Sequence, residues 1–413
     1  MHALPTLPRT RWLLLSSGTL LALCVYYLNY GATSFEEGVM HGGSQLTLAV
    51  RASAVLAIAA ALGPLRRPRS GSALMFVLFY MLSAVGMLLA TVAHGGLNDT
   101  LFFNTLLQLP ILLALVGTRW QVDYARWLGL CCVALALQTI GDAVVWQSGS
   151  SLWQSMAFIG GVGNPSSFGL LCIVGLAFCV LHPRASYWRW PLACVLAFGA
   201  VMSKSLFAVL GVALVVGVWG VKGWGRALSA LTILALLVIA ALTLEAGADR
   251  NEYTTFIAHK MKSAGELLGL VEYDVESSIS VSQRVEMHEK TRAAIAAAPQ
   301  SLLWGHLEGT PYWPMDSQLL TYLGSFGAIT LAVFLLLHGY WTWRAWTMRS
   351  QDGGFAVVTL LLFGLIFTTN RVLDYFPVAT LYFFIVSTVL RPTLGLSEPS
   401  RPNPARPGIG SNR

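Results

Sequence analysis

Charge is what this sequence has least of. Only 11% of its 413 residues are Asp, Glu, Lys or Arg, against about 25% in a soluble domain, so most of its surface is not built to face water. No Asp-rich metal motif is present. The six cysteines (Cys24, Cys131, Cys132, Cys172, Cys179, Cys194) follow neither a metal-ligand spacing nor a disulfide framework, and read as small hydrophobes inside apolar runs. No internal repeat is visible, which weakens an inverted-repeat transporter. The Leu13–Leu23 run resembles a signal peptide but lacks a convincing small-residue cleavage site, and reads as a retained first helix.

What the chain has instead is long apolar runs. Residues 202–221 and 227–244 are each long enough to cross a hydrocarbon core of ~30 Å at 1.5 Å per residue. The predicted spans are 12–30, 45–63, 73–93, 101–117, 127–146, 163–181, 188–203, 205–221, 227–245, 317–338, 355–370 and 375–390. This is an all-α polytopic membrane protein of about twelve helices. Basic residues fall in alternate connections: Arg9 and Arg11; Arg66, Arg67 and Arg69; Arg119 and Arg126; Arg184 and Arg189; Lys222 and Arg226; Arg344 and Arg349; Arg391, Arg401, Arg406 and Arg413. That bias sets an inner-membrane topology with both termini cytoplasmic. The net charge of +7 is thus a topology signal, and nucleic acid is excluded as a partner. The chain divides into a bundle of about nine helices (1–245), a large outer loop (246–316), further spans (317–390) and a disordered, Pro- and Gly-rich tail (391–413).

Nine basic residues escape the pattern: Arg51, Lys204, Arg250, Lys260, Lys262, Arg284, Lys290, Arg292 and Arg371. Arg51 lies about two turns into the second span, Lys204 in a turn between spans, and Arg371 in the last outer loop. Charge at membrane depth is a functional hypothesis by default. In the outer loop, residues 246–275 hold short apolar stretches such as Glu266–Val271, suited to a surface-lying amphipathic helix. A clearer helix follows the capping box Ser280-Val281-Ser282-Gln283 and runs to Ala298, stopped by Pro299. On it Arg284, His288 and Arg292 recur every four residues and share one face. A solvated face with local pairs to Glu286 and Glu289 is the plain alternative. The segments around Trp304 and Tyr312-Trp313-Pro314 return the chain to the membrane.

Three stretches resemble the O-antigen ligase and O-antigen polymerase superfamily of bacterial envelope glycosyltransferases. Gly163-Asn164-Pro165-Ser166-Ser167-Phe168-Gly169 is similar to the family's GNPN opening of the sixth span. Met202-Ser203-Lys204-Ser205 is similar to its SR or SK turn. The third is a loop signature, here Ser282-Gln283-Arg284, Pro299, Gly305, Asp316-Ser317-Gln318 and Tyr322-Leu323-Gly324-Ser325-Phe326-Gly327. The resemblance implies a GT-C-like, metal-independent transferase without cofactor. Its substrate would be an undecaprenyl-pyrophosphate-linked oligosaccharide at the periplasmic face, with a flippase and a chain-length regulator as further partners. Ligases carry His-Asn before the tenth span; Asp316-Ser317 here favours a polymerase of O-antigen or exopolysaccharide. A ligase acting on lipid A core or protein is the alternative, and a transporter or flippase without chemistry is the rival of another class.

Transfer from a lipid pyrophosphate leaves about two negative charges on the departing group, which side-chain cations would stabilise. Arg284 is the first candidate, with Lys204, Arg51 and Arg371 beside it. Asp316 is placed as a general base or, alternatively, as a helix N-cap, and His288 is a second base candidate. Arg292 supports Arg284. Asp142 is read as an ion-pair partner orienting Arg51 or Lys204, and Asn164 as a helix cap or a cleft-lining residue. Tyr312, Trp313, Tyr375 and Phe376 are read as an interfacial belt or as sugar-stacking rings.

Overall fold

The computed structural model describes residues 5–29, 45–63, 120–146, 157–182, 189–220, 279–309, 313, 315–348 and 353–390, with scattered positions between 74 and 118. The predicted spans 73–93, 101–117 and 227–245, the segment 246–278 and the tail lie wholly or mostly outside the described residues, as do the side chains of 279–285. The described part is helical, with one isolated bridge, Thr6 to Gln121.

The bundle begins with α1 (Arg9–Cys24), extended by a 3-10 turn at Val25–Asn29, and α2 (Gln45–Leu62). It continues with α3 (Tyr124–Trp146), α4 (Pro165–Leu181), α5 (Arg189–Met202) and α6 (Leu206–Gly220). Then come α7 (Ile279–Ala297), the single turn α8 (Ser301–Trp304), α9 (Gln318–Thr347), α10 (Gly353–Phe367) and α11 (Phe376–Leu390). Among the described residues three apolar stretches are long enough to cross a membrane, Arg9–Leu28, Tyr124–Val144 and Gln318–Thr347, and the other described apolar helices are shorter.

α4 is apolar on all sides, and residues 167–179 are buried without a break, as a helix without a polar face must be at the centre of a bundle. It packs against α3, α5, α6 and α10. α1 lies along α2 with small residues in the seam: a Cβ at Gly18 would meet the Ala54 carbonyl at 2.9 Å, the close approach that lets membrane helices gain dispersion contacts. Trp127 stacks on Phe384 at 3.7 Å and its indole N–H donates to Thr19 Oγ1 at 2.9 Å, tying α3 to α1 and α11. Imidazole His338 on α9 bridges the Tyr382 hydroxyl at 2.9 Å and the Leu360 carbonyl at 3.1 Å, linking three helices. The carbonyl can only accept, so Nε2 carries the proton and Nδ1 accepts from Tyr382.

Two helices differ from expectation. α7 is already helical at Ile279, so Ser280 lies inside the helix and not at its N-cap. α9 continues nine residues past the predicted end at 338, because Tyr340, Trp341, Thr342 and Trp343 prolong a helix that only leaves the apolar phase. It is also broken within: Gly327 has φ 80° and ψ 171°, a conformation open only to glycine.

Candidate functional site

One end of the bundle, where α1, α3, α5 and α10 finish and α2, α4, α6, α9 and α11 begin, gathers most of the predicted residues. The polypeptide builds it from turns. Gly163 takes φ 80°, turning the chain so that Asn164 can cap α4: its Oδ1 accepts from the Ser167 N–H at 3.0 Å, with Pro165 in the first helical turn. The other end of the same amide donates to the Tyr375 hydroxyl at 3.0 Å. Asn164 is therefore a cap and a strut at once.

From Tyr375 the contacts run inward. Its ring lies 6.2 Å from that of Tyr26, and the Arg51 guanidinium sits 5.1 Å over the Tyr26 face. Arg51 is only 1% exposed. A cation so far from water needs compensation, and an aromatic face supplies part of it through its quadrupole. Arg371 pairs with Asp374 at 3.8 Å in the 3-10 turn Val372–Asp374. Tyr26 is the residue that sequence reasoning missed in this cluster. Tyr375 stands at the mouth as expected, but its partners Asn164 and Tyr26 are hundreds of residues away, and nothing local to either tyrosine signals them.

The second predicted turn meets the first. A Cβ at Gly169 would meet Ser203 Oγ at 2.5 Å, so the Gly163–Gly169 and Met202–Ser205 stretches are in direct contact. Lys204 stands in that turn with φ 51° and 6% exposure. An L-residue held in the left-handed region is strained by roughly 1–2 kcal/mol, which a glycine would not be. The Met202 carbonyl accepts from the Phe158 N–H at 2.9 Å. Next to it, Asp142 Oδ2 accepts from the Ile159 and Gly160 N–H groups at 2.9 and 2.8 Å, and Gln138 Oε1 from Gly161 at 3.1 Å. Asp142 thus anchors the backbone of the turn that delivers Asn164.

The third stretch forms a cap over the start of α9. Gly305 and Gly327 both have positive φ, and a Cβ on Gly305 would strike the Ser325 carbonyl at 2.5 Å. The His306 N–H donates to that carbonyl at 3.1 Å. Trp313 is 5% exposed; its indole N–H donates to Thr291 Oγ1 at 3.0 Å, and its backbone N–H to Ser325 Oγ at 2.8 Å. With Ala294, Leu307 and Met315 it forms a small core of its own. That corrects the reading of Trp313 as belt or sugar platform: the ring is inside. Phe376, 0% exposed, is likewise core.

Asp316 is corrected in part. The cap of α9 is Ser317, whose Oγ accepts from the Leu320 N–H at 3.3 Å and donates to the Phe367 carbonyl at 3.0 Å. Asp316 stands half-buried one residue earlier, and the helix-capping role has gone to its neighbour. Gln318 Oε1 accepts from Leu373 N–H at 2.9 Å, which joins the start of α9 to the turn carrying Arg371 and Tyr375.

Between α7 and α9 lies a cavity of about 190 Å³ with an apolar floor of Ile295, Leu302, Leu307, Met315, Leu320 and Leu323. His288 and Arg292, both exposed, also line it. Arg284 falls one helical turn earlier in the same row, with its side chain outside the described residues. The predicted cations therefore fall into two groups: Arg51 on α2 with Lys204 and Arg371 in turns at the bundle end, and His288 and Arg292 on the cap.

No family model matches the chain, and no curated protein is found similar to it.

Proposed function

We propose that this chain is a membrane glycosyltransferase of the polymerase type. It moves a glycan from undecaprenyl pyrophosphate onto a second lipid-linked repeat at the periplasmic face of a bacterial inner membrane, in a bundle of about twelve spans. The observation that carries the reading is the near-complete burial of Arg51 and Lys204 at one bundle end, beside the turn capped by Asn164. Buried cations have a use where a polyanionic leaving group must be stabilised out of water.

In this mechanism the acceptor hydroxyl attacks the anomeric carbon, and the bond from that carbon to the pyrophosphate oxygen breaks. The pyrophosphate leaves with the bonding pair, met by Arg51, Lys204 and Arg284. Asp316, no longer needed as the cap of α9, takes the hydroxyl proton. Asn164 and Tyr375 hold the floor of the site together.

A transporter reading has one observation in its favour, the break in α9 at Gly327, since transporters bind cargo at broken helices. Here the carbonyl of Ser325 beside the break is taken by the His306 N–H, which favours a structural joint. The test is purified protein in lipid nanodiscs with an undecaprenyl-pyrophosphate-linked repeat. The expected product is a ladder of lipid-linked oligomers. Glycan appearing only on a lipid A core or protein acceptor would make it a ligase; translocation without a new glycosidic bond would remove the enzyme reading.

A further inference from the structure

Two consecutive apolar side chains on the cap face outward. Leu303 and Trp304 of α8 are 49% and 68% exposed, while Leu302 beside them lines the cavity, although α8 belongs to a connection that polar residues would suit. We infer that α8 is a re-entrant element of the membrane, immersed in the acyl-chain region against α9, and that its partner is lipid.

The depth follows from α9. Near the far end of this helix Tyr340, Trp343 and Trp346 are exposed at 37%, 58% and 75%, the aromatic girdle expected at a membrane–water boundary. Gly327 precedes Trp343 by sixteen residues, or ~24 Å of helix. That is less than the ~30 Å of a hydrocarbon core, so with the girdle at one boundary the break lies inside the other. α8 is fastened at that level. The Gly305 and Gly327 backbones are in contact, with no room for a Cβ on either, and His306 N–H is bonded to the Ser325 carbonyl. Ile329, two residues beyond the break, is 49% exposed and continues the same apolar level onto α9.

A segment can be immersed only if its backbone is satisfied internally. Ser301, Leu302 and Leu303 donate their N–H groups to the carbonyls of Ala298, Pro299 and Gln300, and Gly305 to Ser301. The Ser301 hydroxyl donates to the Ala298 carbonyl at 2.6 Å. Leu307 then turns back into the small core beneath α7, leaving the exposed Glu308 on the way out.

The test uses the full chain with Cys194→Ala, which removes the exposed thiol, and single cysteines at Leu303→Cys, Trp304→Cys, Ile329→Cys and Glu308→Cys. Each is labelled with a nitroxide in phosphatidylethanolamine–phosphatidylglycerol vesicles, and its collision rates with oxygen and a water-soluble nickel chelate are read by power saturation. Positions 303 and 304 are expected to favour oxygen over nickel several-fold, as 329 does, whereas 308 favours nickel. Nickel access at 303 and 304 equal to that at 308 overturns the inference. So does a label at both positions shielded from oxygen and nickel alike, which would mean protein covers them. Neither outcome depends on glycosyl transfer.

Discussion

The bundle end and the cap both carry cations, and they hold them in opposite ways. At the bundle end Arg51 lies under protein, over the face of Tyr26, and Lys204 occupies a strained left-handed turn. On the cap, His288 and Arg292 stand in the open at the lip of an apolar cavity, and Lys290 lies 5.3 Å over Trp313. A buried charge is maintained against a desolvation cost and so must be held by its surroundings. An exposed one is nearly free to keep and screened by salt. The difference separates residues whose position the fold enforces from residues that the fold merely permits.

Substitutions can break that contrast, beginning with the strongest. Arg51→Met is expected to lower the rate of chain extension by a few hundred-fold, about 3–4 kcal/mol of transition-state stabilisation. Folding should persist, since an apolar residue of similar volume often replaces a buried charge without loss. Arg51→Lys should not restore the rate, because an ammonium cannot present the guanidinium fork. Initial rates with the lipid-linked repeat would measure both, and near-normal turnover in Arg51→Met would dissolve the distinction between the two regions.

Gly327→Val tests the cap's attachment. The left-handed backbone and the absence of space for a Cβ together imply a loss of about 3 kcal/mol, read as a lowered unfolding midpoint in micelles. Lys204→Gly sharpens the comparison by dividing charge from conformation. Removing the charge should slow extension about tenfold, while relief of the left-handed strain holds or raises stability by about 1 kcal/mol. If activity survives in that variant, the lysine serves only its turn. The smallest effects belong to the cap: Arg292→Ala and His288→Ala should change extension by less than about threefold at 0.15 M salt. Their unfolding midpoints should match the parent. A hundredfold loss in either would bring the exposed cations of the cap into catalysis beside Arg284 and erase the contrast with the bundle end.

How much of this was readable beforehand depended on the range of the interaction involved. Apolar runs located α1 to α6, α10, α11 and the start of α9 closely, because burial of a continuous hydrophobic stretch is a local property. Asn164 was legible as a cap since Pro165 and the following apolar run are its neighbours in sequence. The identity of the α9 cap was not: Asp316 and Ser317 are both good caps, and the choice fell to Ser317 through its bond to Phe367, fifty residues on. Trp313 looked like a surface aromatic until Gly324 offered it a seat, where a Cβ would approach the ring at 2.8 Å. Tyr26 gave no sign at all, for its partners Arg51 and Tyr375 come from separate parts of the chain. Gly327 was visible as a residue but not as a break, which exists only because Gly305 needs the room.

That break divides the labour within one helix. The nine residues before it are fastened to the cap, while the stretch from 328 to the girdle crosses most of the hydrocarbon core, ~24 Å of it, as a separate segment. A thicker or thinner membrane is met by changes of tilt, and a joint at Gly327 lets the inner stretch lean without dragging the cavity and its rim along. Turnover should consequently vary little between lipids of different acyl length, and a helix made continuous at that point should make it depend on them.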